Sequence, residues 1–202
     1  MYSRREDEPL VQAGAALTES LIDDPFYWSI TEGFGGDLVA RRRALNRYFH
    51  YSLKEAERTG RCVVAEDPRL GAAAWLLPRP ADVDARESRS KSEFLGSALG
   101  PRGTENYYRI VRYMAPLAAR VIPHGAWYLS IVGIVPWAQG RGLGATLLAS
   151  TLSEAERADV ACYLETFTPR NLEFYQRLGF RPVANHIEPT TGKEYVIMRK
   201  DT

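Results

Sequence analysis

Residues 135–148 read VPWAQGRGLGATLL, with three glycines at alternate positions and an arginine among them, set between two apolar runs. The run before it, WYLSIVGIV at 127–135, is rich in β-branched and aromatic residues and predicts a strand. The run after it carries Leu143, Leu147, Leu148, Thr151, Leu152 and Ala155 at helical spacing, which predicts a helix over 140–157 facing a sheet. A tight turn alone needs one glycine or two. Gly140, Gly142 and Gly144, with Gln139 and Arg141, point to a ligand that comes close to the backbone, because a residue without a Cβ leaves the main chain open. The first N–H groups of a helix have no internal acceptor and lie at the positive end of its dipole. The stretch therefore reads as a phosphate-binding site, with Arg141 as a charge-assisted donor.

The rest of the chain supplies elements around this unit. Leu10, Ala13, Leu17 and Leu21 predict a helix over 9–22 after a polar, loose start at 1–8, and Asp24-Pro25 stops it. Leu38, Leu45, Tyr48, Phe49 and Leu53 predict a second helix over 36–59, closed by Gly60 as a C-cap. Strands are expected at 61–65 and 70–77, a short helix at 90–99 in a charged and Gly/Pro-rich region, and a helix at 104–121 kinked by Pro116. Further strands are expected at 160–166, 180–187 and 195–199, with a helix at 169–178 capped by Thr168 and ended by Gly179.

Composition narrows the partners. A length of 202 residues fits one domain, 1–202, with residues 126–200 its more orderly half. Twenty-six basic and 25 acidic side chains leave a net charge of +1, so neither a nucleic acid nor a membrane surface is expected. Two cysteines in apolar runs, Cys62 and Cys162, read as buried free thiols of a reducing cytoplasm. The three histidines, His50, His124 and His186, have no ligand spacing, so no metal is expected. The run Arg41-Arg42-Arg43 reads as a solvated helix face.

Three kinds of phosphate site compete for the glycine stretch. A P-loop would end in Gly-Lys-Ser/Thr, which GRGLGA lacks. A dinucleotide loop fits the G-x-G-x-x-A spacing, with Glu165 where a ribose-binding acid belongs, but four residues separate strand from loop and too few strand–helix units follow. Coenzyme A is the third. A second motif bears on the choice: in TPRNLEFYQRLGF, Asn171 and Tyr175 are four apart and share a helix face. A phenol is protonated at neutral pH and can give its proton to a leaving thiolate.

Gln139, Gly142 and Gly144 after a Val-Pro strand end resemble the acyl-CoA loop of the GNAT superfamily of acetyltransferases, and N-x-x-x-Y before L-G-F resembles its helix motif. Within the superfamily the tail is similar to the puromycin N-acetyltransferases, through Q-G-[RK]-G-L-G, L-E-T-x-x-P-R-N-L-x-F-Y-x-R-L-G-F and a final M-R-K. The resemblance covers about residues 126–200. It implies an α+β fold (α/β mixed), a twisted, mostly antiparallel mixed sheet with helices on both faces. It implies acetyl-CoA as cosubstrate, with the pyrophosphate on the loop amides of Gln139, Gly140, Arg141, Gly142, Leu143 and Gly144. The pantetheine arm would lie on the backbone of Ile134 and Val135, near Asn171, and Tyr175 would be the general acid. The family's opening strand is not evident in MYSRREDEPL, and the strand before the loop lacks the acid that many members use as base. Glu165 is the candidate base, with a structural carboxylate bonded to Arg170 or a water-mediated route as alternatives. Trp28 and Tyr108 are candidates for the acceptor pocket. The expected partner is a small-molecule amine and, at most, a second copy of the chain in a homodimer. A protein or peptide acetyltransferase, and an idle acyl-CoA-binding module, remain alternatives.

Overall fold

A computed structural model describes residues 7–202. The expected loose start lies outside the described residues up to residue 6, and Glu8 already belongs to the first helix. In chain order the elements are α1 (Glu8–Leu21), α2 (Pro25–Ile30), α3 (Leu38–Thr59), β1 (Gly60–Val64), β2 (Gly71–Leu76), α4 (Ala81–Ala118), β3 (Trp127–Ile134), α5 (Leu143–Arg157), β4 (Cys162–Thr166), α6 (Leu172–Arg177), β5 (Arg181–Glu188) and β6 (Lys193–Lys200). Single 3-10 turns at Glu32–Phe34, Pro68–Leu70, Pro136–Ala138 and Pro169–Asn171 join several of them.

The six strands lie in the order β1-β2-β3-β4-β6-β5, and only β3 and β4 run parallel. Helices cover both faces. Leu10, Leu17, Leu45, Phe49, Leu95 and Ile110 from α1, α3 and α4 pack on one face over Ala72 and Ala74, and Leu147, Leu148 and Leu152 of α5 pack on the other over Ala73 and Trp75. Alternate residues of β2 thus serve opposite cores, as a strand with period two requires.

β3 breaks that alternation. Leu129 pairs with Trp75 and Ile131 with the adjacent Ala74, so Ser130 is an extra residue. Leu129 consequently enters the α5 core and Ile131 the opposite one. A bulge bends its strand and increases the twist. Past it, β3 leaves β4: their pairing covers only Trp127–Cys162, Tyr128–Tyr163 and Leu129–Leu164. The two parallel strands therefore splay beyond Leu129 and Leu164.

Several local expectations change. Asp24 does more than stop α1: with Pro25 in the first turn it caps α2, accepting the Phe26 N–H at 2.9 Å. The region after Pro78 holds a long helical run, broken at Gly100 (φ 68°) rather than at Pro116. Gly60 is the C-cap of α3 as expected, its N–H donating to the Ala56 carbonyl, but it is extended, φ −147°, and also opens β1. Its missing side chain is required because a Cβ there would overlap the Trp75 carbonyl. Arg41 is no solvated arginine. It is 5% exposed, bonds Thr31 Oγ1 at 3.2 Å and the Ile22 carbonyl at 3.1 Å, and lies 3.9 Å from the Trp28 ring centre. Among the described residues no helix is long and apolar enough to cross a membrane.

Candidate active site

The glycine loop adopts the conformation its sequence demands. Gly140 (φ 78°) and Gly142 (φ 80°) are left-handed, a region that costs other residues about 1–2 kcal/mol. Helix α5 begins at Leu143, three residues after the expected start at Gly140, and Gly142 is its N-cap without any side-chain cap. The first helical bond runs from the Thr146 N–H to the Gly142 carbonyl, at 3.1 Å. The N–H groups of residues 140–145, six in a row, therefore have no acceptor among the described residues. A β-carbon at Gly140 or Gly142 would meet nothing within 4 Å, so this nest faces open space. Consecutive amides around left-handed residues form a concave anion site. Gly144 differs. A β-carbon there would lie 3.1 Å from the Phe174 ring, so its smallness lets α5 and α6 pack together.

The flanking residues fix the loop. The Gln139 amide donates to the Ile134 carbonyl at 2.9 Å, which folds the loop back on its strand. Arg141 is exposed and reaches only the Trp137 carbonyl, at 3.3 Å. The Val135 N–H donates to the Leu70 carbonyl at 2.9 Å, so it is not open to a pantetheine arm. By the alternation of an antiparallel ladder the amides of Ile134 and Val132 then point the other way, to the edge that β4 has left.

A cleft of about 580 Å³ opens through this splay, with Tyr175 and Asn171 on its wall beside Glu165, Tyr128 and Ile131. Tyr175 belongs to the α5-side core and Ile131 to the core of the other face, so the cleft reaches both sides of the sheet. Asn171 stands at the N-terminus of α6, one turn before Tyr175. Tyr175 is 7% exposed, and burial first, then the nearby Asp24, hold its phenol well above the usual range. Its hydroxyl has no hydrogen-bond partner among the described residues, so it is a neutral donor aimed into the cleft.

Glu165 is half-buried and accepts the Tyr128 hydroxyl at Oε2, 3.1 Å away, while Oε1 is buried without a partner. Burial pushes its carboxyl up to about 7, only partly offset by that hydrogen bond. Arg170 is exposed and does not bond it. The expected Thr168 cap is also absent: its hydroxyl donates instead to Asp24 Oδ2 at 3.3 Å, tying α2 to the loop before α6.

Two sequence candidates lie elsewhere. Trp28 is 54% exposed beneath Arg41, and Tyr108 packs edge-on against Tyr107 and under Arg112, so neither lines the cleft. Its walls come instead from Asp24, Tyr27, Tyr48 and Lys91, among others. The Asp-Pro cap signal could have marked Asp24, but no local pattern marks Lys91. Burial pushes both cysteines up to about 11, which leaves them inert thiols. Among the described residues no group of His, Cys, Asp and Glu is arranged to hold a metal.

Residues 108–182 match the family model for the acetyltransferase (GNAT) domain. That part of the chain is similar to the acetyltransferase (GNAT) domain. The fold of the chain is also that of several solved acetyltransferases. A Corynebacterium glutamicum structure described as histone acetyltransferase HPA2 and related acetyltransferase is 23% identical, with a TM-score of 0.64 over 98% of this chain and 92% of that one. A mosquito arylalkylamine N-acetyltransferase like 5b is 16% identical, with a TM-score of 0.57 over 96% of each chain. The Drosophila melanogaster polyamine N-acetyltransferase is 11% identical, with a TM-score of 0.54 over 77% of this chain and 81% of that one. The matched segment holds the glycine loop, Glu165, Asn171 and Tyr175.

Proposed function

We propose that the protein moves an acetyl group from acetyl-CoA to a primary amine of a small molecule. The observation that carries this reading is a splayed strand edge and a buried phenol on one cleft, with an open amide nest at the head of the helix that follows that strand. Acetyl-CoA supplies the activated acyl group as a thioester. The amides of residues 140–145 would hold its pyrophosphate, with Arg141 beside them, and the Val132 and Ile134 edge would bond its pantetheine arm next to Asn171. An N–H on that edge would polarise the thioester carbonyl. Glu165, with its pKa near neutrality, accepts the proton that the amine loses as its nitrogen bonds the carbonyl carbon. As the carbon–sulfur bond breaks, Tyr175 gives its proton to the sulfur. Much of the rate comes from holding both reactants in one geometry.

The small-molecule reading rests on the tyrosine-lined cleft and on the similarity of the tail to the puromycin N-acetyltransferases. The two free thiols, Cys162 buried and Cys62 half-buried, support a cytoplasmic setting. Tyr175→Phe tests the mechanism. Thiol release from acetyl-CoA should fall by about 10²-fold, within the range of general acid–base contributions, while affinity for CoA stays within about twofold. A wild type that binds CoA yet releases no thiol with any amine would identify an idle binding module instead.

A further inference from the structure

The acceptor side of the cleft is not electrically uniform. Beside Tyr175 stand two carboxylates, Asp24 and Glu165. Among the described residues the Asp24 carboxylate accepts the Phe26 N–H at 2.9 Å and the Thr168 hydroxyl at 3.3 Å, and Glu165 accepts the Tyr128 hydroxyl. Neither is bonded by a lysine or arginine among the described residues. Elsewhere on the same wall is Lys91, whose Nζ lies 2.9 Å from Glu55. Arg79 bonds that same Glu55 at 3.2 Å and Asp84 at 2.8 Å, so the Glu55 carboxylate is already satisfied by two cations.

Aromatic rings fill the interval. Lys91 Nζ is 5.9 Å from the Tyr107 ring centre, and Tyr107 is 5.9 Å from Phe26. Tyr27 lies 5.2 Å from Phe26 and 5.8 Å from Tyr48. Tyr27, Tyr48 and Tyr107 line the cleft, and their hydroxyls have no hydrogen-bond partner among the described residues. A ligand there meets ring faces, phenolic oxygens, two carboxylates without a cation partner and the Lys91 ammonium.

We infer that the acceptor is an aromatic amine carrying a single positive charge, its ammonium held by Asp24 and Glu165 and its ring among the tyrosines, and that Lys91 excludes di- and polyamines. The inference rests on the acetyl-transfer reading and names the substrate class of the same site. An ammonium leaving water gains from the unpaired carboxylates and the ring faces. A second ammonium reaching along the cleft meets Lys91, and like charges repel strongly where water is scarce. Specificity of this kind comes from rejecting the wrong ligand as much as from holding the right one.

The test follows thiol release from acetyl-CoA by the full chain at pH 8 with tyramine, agmatine and spermidine. The expected kcat/KM for tyramine exceeds that for either polycation by at least tenfold. In Lys91→Met the ratio narrows severalfold, chiefly because the polycations improve. Agmatine or spermidine turned over as well as tyramine by the wild type would overturn the inference and leave the acetyl-transfer reading intact, as would an unchanged ratio in a folded Lys91→Met protein. Silence with every amine would remove both. The wild-type ratio decides the matter even where the variant fails to fold.

Discussion

Burial raises the Glu165 carboxyl to about 7 because one oxygen bonds only the Tyr128 hydroxyl and the other bonds nothing. As a base it must be ionised, so kcat/KM should fall tenfold per pH unit below about 7 and level off above it. Glu165→Gln should lower kcat by about 10²-fold or more and remove that limb. The same shift has a stability consequence. A carboxyl whose folded pKa lies above its unfolded value loses stability for the protein as pH rises from the unfolded value of 4.5 through about 7. At about 1.4 kcal/mol per unit the cost reaches at most about 3 kcal/mol above pH 8. Urea unfolding should therefore find Glu165→Gln the more stable protein at pH 8 and equal to wild type at pH 4. A variant less stable at pH 8 would show that the carboxylate is held by partners the structure does not contain.

At the scale of elements, the contact of α5 with α6 sets where the loop stands relative to the phenol. Gly144 permits that contact, since a methyl group there would stand 3.1 Å from Phe174. Gly144→Val should lower stability by about 1–3 kcal/mol through overpacking and reduce kcat by shifting α6, which carries Tyr175. Adding Phe174→Leu should restore part of both, a coupling that a double-mutant cycle reads directly. The strand–loop–helix unit was legible in the sequence because its chemistry is local: alternate glycines, an apolar stripe, a Val-Pro strand end. The start of α5 was placed too early, since left-handed Gly140 and Gly142 are excluded from the helix they precede. α4 was missed in part because its first half is polar, and it holds by capping the α3 side of the core through Leu95 and Leu99 rather than by a strong periodic stripe.

At the scale of the whole molecule, the helices before β1 and the half after β3 meet at the cleft. Asp24 and Thr168, 144 residues apart, share a hydrogen bond across that seam. Arg41 holds the α2 region in place from α3. Arg41→Ala should cost about 3 kcal/mol or more, because it orphans the Ile22 carbonyl and empties a buried site, and thermal unfolding measures it. Arg42→Ala and Arg43→Ala, at exposed positions, should each change stability by less than about 0.5 kcal/mol.

The amino-acid sequence alone determined the glycine loop, the Asn171–Tyr175 pair, the order of most strands and helices in the second half, and the inert cysteines. Each rests on residues close together in the chain, where periodicity, capping and backbone freedom act directly. Only the tertiary structure decided that Ser130 is a bulge, that β3 and β4 part beyond it, and that the cleft between them is walled by Asp24, Lys91 and tyrosines from the first half. The physical reason is that a bulge is defined by the partner strand, and a cavity by elements from distant parts of the chain. The same holds for Glu165, whose carboxyl is pushed up to about 7 by what is folded over it rather than by its neighbours in sequence.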